Sequence, residues 1–122
     1  MNVLLDSVIL IDHLNGISGA TNYLKAVRGR SAVSVITRAE VLAGSDETGL
    51  PAAIELRDCF LTLAIDRDVA DLAATLRRTY HWKLPDAFQA ALAKRYGLTL
   101  ATRNRRDFPP DRFDFVQVPY SV

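Results

Sequence analysis

Hydrophobic residues in this chain fall into short runs separated by stretches of helical spacing. Val3 to Leu5 form an apolar triplet ending at Asp6, as a buried strand would. Residues 7–14 and 18–28 carry helical patterns, parted by the turn signal Asn15-Gly16. Ala32 to Ile36 is a second β-rich run, and Thr37 to Ala43 predicts a short helix stopped at Gly44. Pro51 opens a helix to about Leu61, and Leu63 to Ile65 predicts a third strand. Val69, Leu72, Ala73 and Leu76 recur at the spacing of an amphipathic helix over 67–81. Pro85 marks the start of an alanine-rich helix to Tyr96, with Gly97 as its stop signal. Leu98 to Ala101 and Phe115 to Val118 predict the remaining strands.

Short strands, apolar on both faces and alternating with helices, predict an α/β fold with a parallel sheet covered by helices. In an open sheet of that kind ligands bind in the crevice beyond the carboxyl ends of the strands. Residues at strand ends, distant in sequence, thereby become spatial neighbours.

Composition narrows the field. A length of 122 residues suits one domain, here 1–122, and 49% hydrophobic with 24% charged residues is ordinary for a folded globule. Cys59 is the single cysteine, which leaves no internal disulfide and no cysteine-based zinc site and suits a reducing cytoplasm. The apolar N-terminus is interrupted by Asp6 and Asp12, so it does not read as a secretory signal. No run approaches the roughly 18 apolar residues of a membrane helix. A net charge of +1 gives no global attraction to nucleic acid. The basic residues are nonetheless clustered: Arg103, Arg105, Arg106 and Arg112 in one stretch, Arg77, Arg78 and Lys83 in another. Solvated surface accounts for such clusters by default.

Three acids stand at or just beyond predicted strand ends and a fourth opens a helix. Asp6 ends the first strand, as a helix N-cap or as a metal ligand at the crevice. Glu40 belongs to Thr37-Arg38-Ala39-Glu40, which reads as a capping box in the first turn of a helix leaving the sheet. Asp86 opens the alanine-rich helix, where the helix dipole alone favours a carboxylate. Asp107 follows the strand at 98–101, with Asn104 placed to cap a short turn. Singly, each has a structural explanation. Together, carboxylates on one edge raise one another's pKa unless a cation neutralises them. Oxygen-only ligands without clustered His or Cys select a hard ion, Mg²⁺ or Mn²⁺. Such an ion acidifies water and neutralises phosphate charge, which suits phosphodiester hydrolysis.

The motifs Leu4-Leu5-Asp6-Ser7, Ile11-Asp12-His13-Leu14, Thr37-x-x-Glu40 with Gly44, Pro85-Asp86-Ala87 and Leu98-to-Asn104 with Asp107-Phe108 occur in this order. In that series the chain resembles the PIN-domain family, and in particular VapC-type toxins of bacterial toxin–antitoxin pairs, over nearly its whole length. The resemblance implies a three-layer fold, a short, mainly parallel sheet flanked by helices. It implies a Mg²⁺- or Mn²⁺-dependent endoribonuclease cutting single-stranded RNA, with Asp6, Glu40, Asp86 and Asp107 in the four acidic positions. Ser7, Thr102 and Asn104 match polar residues near the metal and would orient the carboxylates and water. Arg103, Arg105 and Arg106 bracket the site and are placed to hold RNA phosphates. A cytoplasmic homodimer neutralised by a cognate antitoxin is implied as well. Two positions depart from the family: Val8 replaces the usual Asn or Ser, and Gln89 interrupts an otherwise apolar stretch, where it is expected to face solvent.

Other residues invite chemistry less strongly. His13 and His81 read as surface or packing residues, and Asp12, six positions after Asp6, as a cap or solvated charge. Cys59 reads as core packing. Tyr80 and Trp82 could stack on RNA bases, although packing or subunit contact accounts for them better. A haloacid-dehalogenase-like phosphatase would need a second Asp two residues after Asp6, where Val8 stands. The remaining alternative is a catalytically inactive PIN-like module that binds RNA or protein. Loss of an acid would favour it, and none is lost.

Overall fold

A computed structural model describes residues 1–122. Five strands, β1 (Val3–Leu5), β2 (Ser31–Ser34), β3 (Leu61–Leu63), β4 (Thr99–Ala101) and β5 (Val116–Gln117), form one sheet in the order β3-β2-β1-β4-β5. Every pairing is parallel: Val3 stands opposite Ser31 on one side and Thr99 on the other, and Leu4 opposite Ala32 and Leu100. Six helices cover the sheet: α1 (Ser7–Leu14), α2 (Ser18–Val27), α3 (Val35–Ala43), α4 (Leu50–Arg57), α5 (Arg67–Tyr80) and α6 (Leu84–Tyr96).

The twofold alternation of β1 divides the core. Leu4 points into a cluster with Val69, Ala73, Leu76, Leu92, Leu100 and Phe108, under α5 and α6. Val3 and Leu5 point the other way, towards Ile9, Leu10, Leu24, Val33, Val41 and Ala53, under α1 to α4. The predicted three-layer α/β architecture is therefore the one observed. Burial of each such Val, Leu, Ile or Phe side chain stabilises the fold by about 1.5–3 kcal/mol.

Several boundaries move, each for a local reason. The run Ala32 to Ile36 is not all strand, because the Ser34 hydroxyl accepts the Thr37 backbone N–H at 3.0 Å and starts α3 at Val35. A satisfied N-cap outweighs the β preference of Val35 and Ile36. Thr37 is thus inside the helix, the expected Thr37–Glu40 capping box does not form, and Glu40 lies in the second turn. Helix α4 ends at Arg57, where Asp58 forms the C-cap, and β3 occupies 61–63 rather than 63–65. As an edge strand exposed at Leu61, β3 lacks the buried pattern that marks β1 and β2. Helix α5 ends at Tyr80, with His81 in the left-handed conformation (φ 60°). Gly97 terminates α6 as expected, also left-handed. No helix is long and apolar enough to cross a membrane.

Strand order reverses between β1 and β4, since their connections lead to opposite sides of the sheet. The crevice beyond these two carboxyl ends is the topological switch point, and Asp6 and Thr102 are the first residues past it.

Candidate active site

A cleft of about 240 Å³ opens there, lined by Asp6, Ser7, Val8, Glu40, Asp86, Arg103 and Asn104. Asp6 lies at its floor, only 9% exposed. One carboxylate oxygen accepts the Ser7 backbone N–H at 2.8 Å, and the other accepts the Thr102 hydroxyl at 2.7 Å. Asp6 is therefore both the N-cap of α1 and a wall of the cleft. Burial raises its pKa, and the bonds from Thr102, Ser7 and Gln89 offset only part of that rise.

Glu40 is exposed as a residue, but its carboxyl end lies within the cleft. Desolvation there raises its pKa, the Ser7 hydroxyl opposes the rise, and the charge of Asp6 adds to it. Asp86, in the first turn of α6, is half-buried and pushed up to about 6. Burial is the largest cause, followed by the charges of Asp6, Asp107 and Glu40, and only the Lys83 ammonium pulls the other way. The four acids thus act on a common field, although Asp107 stands outside the cleft lining.

Asp107 closes a tight turn: the Asn104 side chain accepts its backbone N–H at 3.2 Å and donates to its carboxylate at 3.0 Å. The Asn104 backbone N–H in turn donates to Thr102 Oγ1 at 3.0 Å. Trp82, buried and stacked on Tyr80, donates its indole N–H to the Asp107 carbonyl at 2.9 Å. Both aromatic rings are thereby committed to packing.

A PIN-domain family profile matches residues 3–114. The chain belongs to the PIN-domain family. Among curated relatives, Ribonuclease VapC10 of Mycobacterium tuberculosis is 32% identical, over 98% of this chain and 94% of its own length. Among solved structures, a toxin–antitoxin complex from Klebsiella pneumoniae contains a chain that is 34% identical, covered 99% and 100%, with a TM-score of 0.91. FitAcB from Neisseria gonorrhoeae shares the fold at a TM-score of 0.80 and 24% identity, covering 98% of this chain and 99% of that one.

Within this PIN domain the expected residues do not all gather. Asp6, Ser7, Glu40, Asp86, Arg103 and Asn104 share the cleft, and Thr102 lies directly behind Asp6. Arg105 and Arg106 are exposed on the turn beyond and do not line it. Arg103 is not a free cation. Its guanidinium grips Asp12 through two bonds of 2.7 and 3.0 Å, and Tyr120 donates to the same carboxylate at 2.7 Å. Asp12 is consequently buried, at 4% exposure, rather than solvated. Its place one turn after the buried Ile9 was the available sign of an inward side chain.

Gln89 likewise does not face solvent. It is 1% exposed, one turn beyond Asp86, and its amide donates to Thr37 Oγ1 at 2.6 Å and more weakly to Asp6 at 3.5 Å. Its Oε1 is a buried acceptor without a protein partner. The i, i+3 spacing from Asp86 carried that signal. Cys59 is exposed rather than packed in the core, because it falls in the turn after α4. His13 Nδ1 bonds the Thr21 hydroxyl at 2.7 Å, a packing role, and His81 is exposed.

Proposed function

We propose that residues 1–122 form one PIN-like nuclease domain, a divalent-metal-dependent endoribonuclease for single-stranded RNA and the toxin of a toxin–antitoxin pair. The observation carrying this reading is the convergence of Asp6, Glu40 and Asp86 on one cleft, with Asp86 raised to about 6 chiefly by burial and by the other acids. An arrangement that repels itself becomes favourable when a cation enters.

The residues present fit such an ion. All donors are hard oxygens, which suits Mg²⁺ or Mn²⁺. No three His, Cys, Asp or Glu side chains stand close enough together to hold an ion by themselves. Mg²⁺ retains several waters and takes only one or two carboxylates plus substrate phosphate, so an open acidic cleft is the appropriate form. Asp6, Glu40 and Asp86 would hold the ion, one or two of them directly and the rest through its waters, with Asp107 contributing charge or a water-mediated contact. When bound, the ion neutralises the phosphate and lowers the pKa of water for attack on phosphorus.

The chain's own groups organise that chemistry. Thr102 and the Ser7 N–H fix both Asp6 oxygens, Ser7 faces Glu40, and Asn104 fixes Thr102 and Asp107. Arg103 brings positive charge to an otherwise anionic cleft, and the exposed Arg105 and Arg106 lie farther along the path of an RNA strand. Ribonuclease VapC10, as a relative over almost the full chain, supports RNA as substrate. The Klebsiella complex supports an antitoxin partner. A mixed groove beside α1, lined by Ile11, Leu14, Val41 and Ala52 together with Asn15, Ser45 and Asp46, could receive an antitoxin segment, and a basic side chain could plug the acids. Cytoplasmic location and a homodimer complete the reading.

Labelled single-stranded RNA, incubated with the purified protein and Mg²⁺ or Mn²⁺, tests it. Cleavage should cease in excess EDTA and fall by on the order of 100-fold or more in Asp86→Asn, the scale of losing a group that stabilises the transition state. Undiminished cleavage in either case overturns the mechanism.

A further inference from the structure

Arg103 makes an unusual bridge between two environments. It lines the acid cleft, yet it is anchored from behind by the buried Asp12. A guanidinium has five N–H donors in one plane. The Asp12 carboxylate takes two of them, at Nε and Nη2, in a bidentate grip that fixes the plane. Three donors remain, and the side chain is 32% exposed.

Asp12 is itself shared. Tyr120, beyond β5, donates its hydroxyl to Asp12 Oδ2 at 2.7 Å, on the same oxygen that receives Arg103 Nε. That bond holds part of the carboxylate's negative charge and leaves more of the guanidinium's positive field for the cleft. The Tyr120 ring is seated against Gly19 of α2, where a Cβ would approach ring carbons to 3.1 Å. Residues from α1, α2, the β4 loop and the segment after β5 therefore meet in one assembly.

We propose that Asp12 and Tyr120 are positioning residues that hold Arg103 as a fixed phosphate-binding fork at the rim of the acid cleft. The proposal deepens the nuclease reading and rests on it. A phosphodiester approaching three carboxylates meets repulsion, and one oriented guanidinium among them gives it a defined docking point. The other arginines of this stretch, exposed at Arg105 and Arg106, have no such anchor.

Binding of a fluorescent single-stranded RNA, measured in EDTA on an Asp86→Asn parent, separates this role from catalysis. Arg103→Ala should weaken binding roughly tenfold and lower the slope of log K against log salt by about 0.7, one phosphate contact on a single strand. Tyr120→Phe, which keeps the ring against Gly19 and removes one oxygen, and Asp12→Asn should each weaken binding severalfold. Arg103→Lys should not restore it, because an ammonium cannot keep both bonds to Asp12 and still face the cleft. If all these variants melt lower yet bind RNA with the parent's affinity and salt slope, the cluster is only a structural clasp and the proposal is overturned. If the parent binds only with Mg²⁺, the same comparison is made there; a parent that binds RNA in neither condition overturns the nuclease reading, and this proposal with it.

Discussion

Asp6 and Asp12 are six residues apart on one short stretch, both buried, and their surroundings are opposite. Asp12 is surrounded by donors. Burial raises its pKa, but Arg103 and Tyr120 more than reverse that effect and hold it below the usual carboxylate range. Asp6 receives bonds from neutral groups only, shares its cleft with Glu40 and Asp86, and remains raised. Adjacent residues after β4 produce the split: Thr102 turns to Asp6 and Arg103 to Asp12. One buried carboxylate is complete within the protein. The other belongs to a group of acids that raise one another's pKa, which the proposed cation would relieve.

Breaking each side should therefore have opposite consequences for stability. Asp12→Ala leaves the Arg103 guanidinium and the Tyr120 hydroxyl without their partner. Loss of one member of a fully buried pair costs about 3–5 kcal/mol, and the partial exposure of Arg103 reduces this to about 2–3 kcal/mol. Asp86→Asn, measured without metal, should unfold at the wild-type urea midpoint or above it, because relief of repulsion offsets the lost dipole interaction of about 0.3–1 kcal/mol. Urea titrations of both variants check the pair. A destabilised Asp86→Asn, with no gain from Mn²⁺ in wild type, would erase the contrast.

Acidification sharpens the comparison further. Asp86 has a folded pKa of about 6 against 3.8 for the free group, so the folded protein binds more protons between those values. Metal-free stability should rise as pH falls from about 7 towards 4 by this contribution, and Asp6 and Glu40 act in the same direction. Asp12 has the opposite sign. Its contribution is full above 3.8 and is lost as pH falls through its lower folded value. Urea midpoints at pH 7, 5.5 and 4.5 should flatten in Asp86→Asn, and addition of Mn²⁺ should remove the rise in wild type.

The smallest effect concerns Gln89. Gln89→Leu removes the orphaned Oε1 along with the donor to Thr37, two changes of opposite sign, so stability should move by less than about 1 kcal/mol. The melting shift produced by Mn²⁺ should shrink nevertheless, because Asp6 loses one of its three hydrogen-bonding neighbours. An unchanged shift would mean that Gln89 serves Thr37 alone.

Legibility followed the same division. The sheet and the acids could be read from the chain because each announces itself locally: Val3-Leu4-Leu5 before Asp6, Pro85 before Asp86, Leu98 to Ala101 before Thr102. Compensation is not local. Nothing near Asp12 in sequence names Arg103 or Tyr120, 91 and 108 residues away. Gln89 reads in sequence as solvent-facing because amides usually are, and only the β2–α3 corner, which presents Thr37 Oγ1, makes its burial tolerable. The start of α3 precedes the one its sequence pattern predicts for a related reason. Ser34 is a weak signal beside Val35 and Ile36 until its hydroxyl is seen to meet the Thr37 N–H.

The alanines of α6 carry a consequence for how this protein tolerates mutation. Ala87, Ala90 and Ala91 are fully buried and Ala93 nearly so, on the helix that packs against α5 and β4 and bears Asp86. Methyl groups set the spacing between that helix and its neighbours, so even one added carbon has nowhere to go. In a saturation library scored by function, these small, chemically inert positions should rank beside the acids in intolerance. Scored by folded abundance instead, the two sets should part: substitutions at the alanines deplete the protein, whereas neutral replacements of Asp86 leave it abundant and inactive.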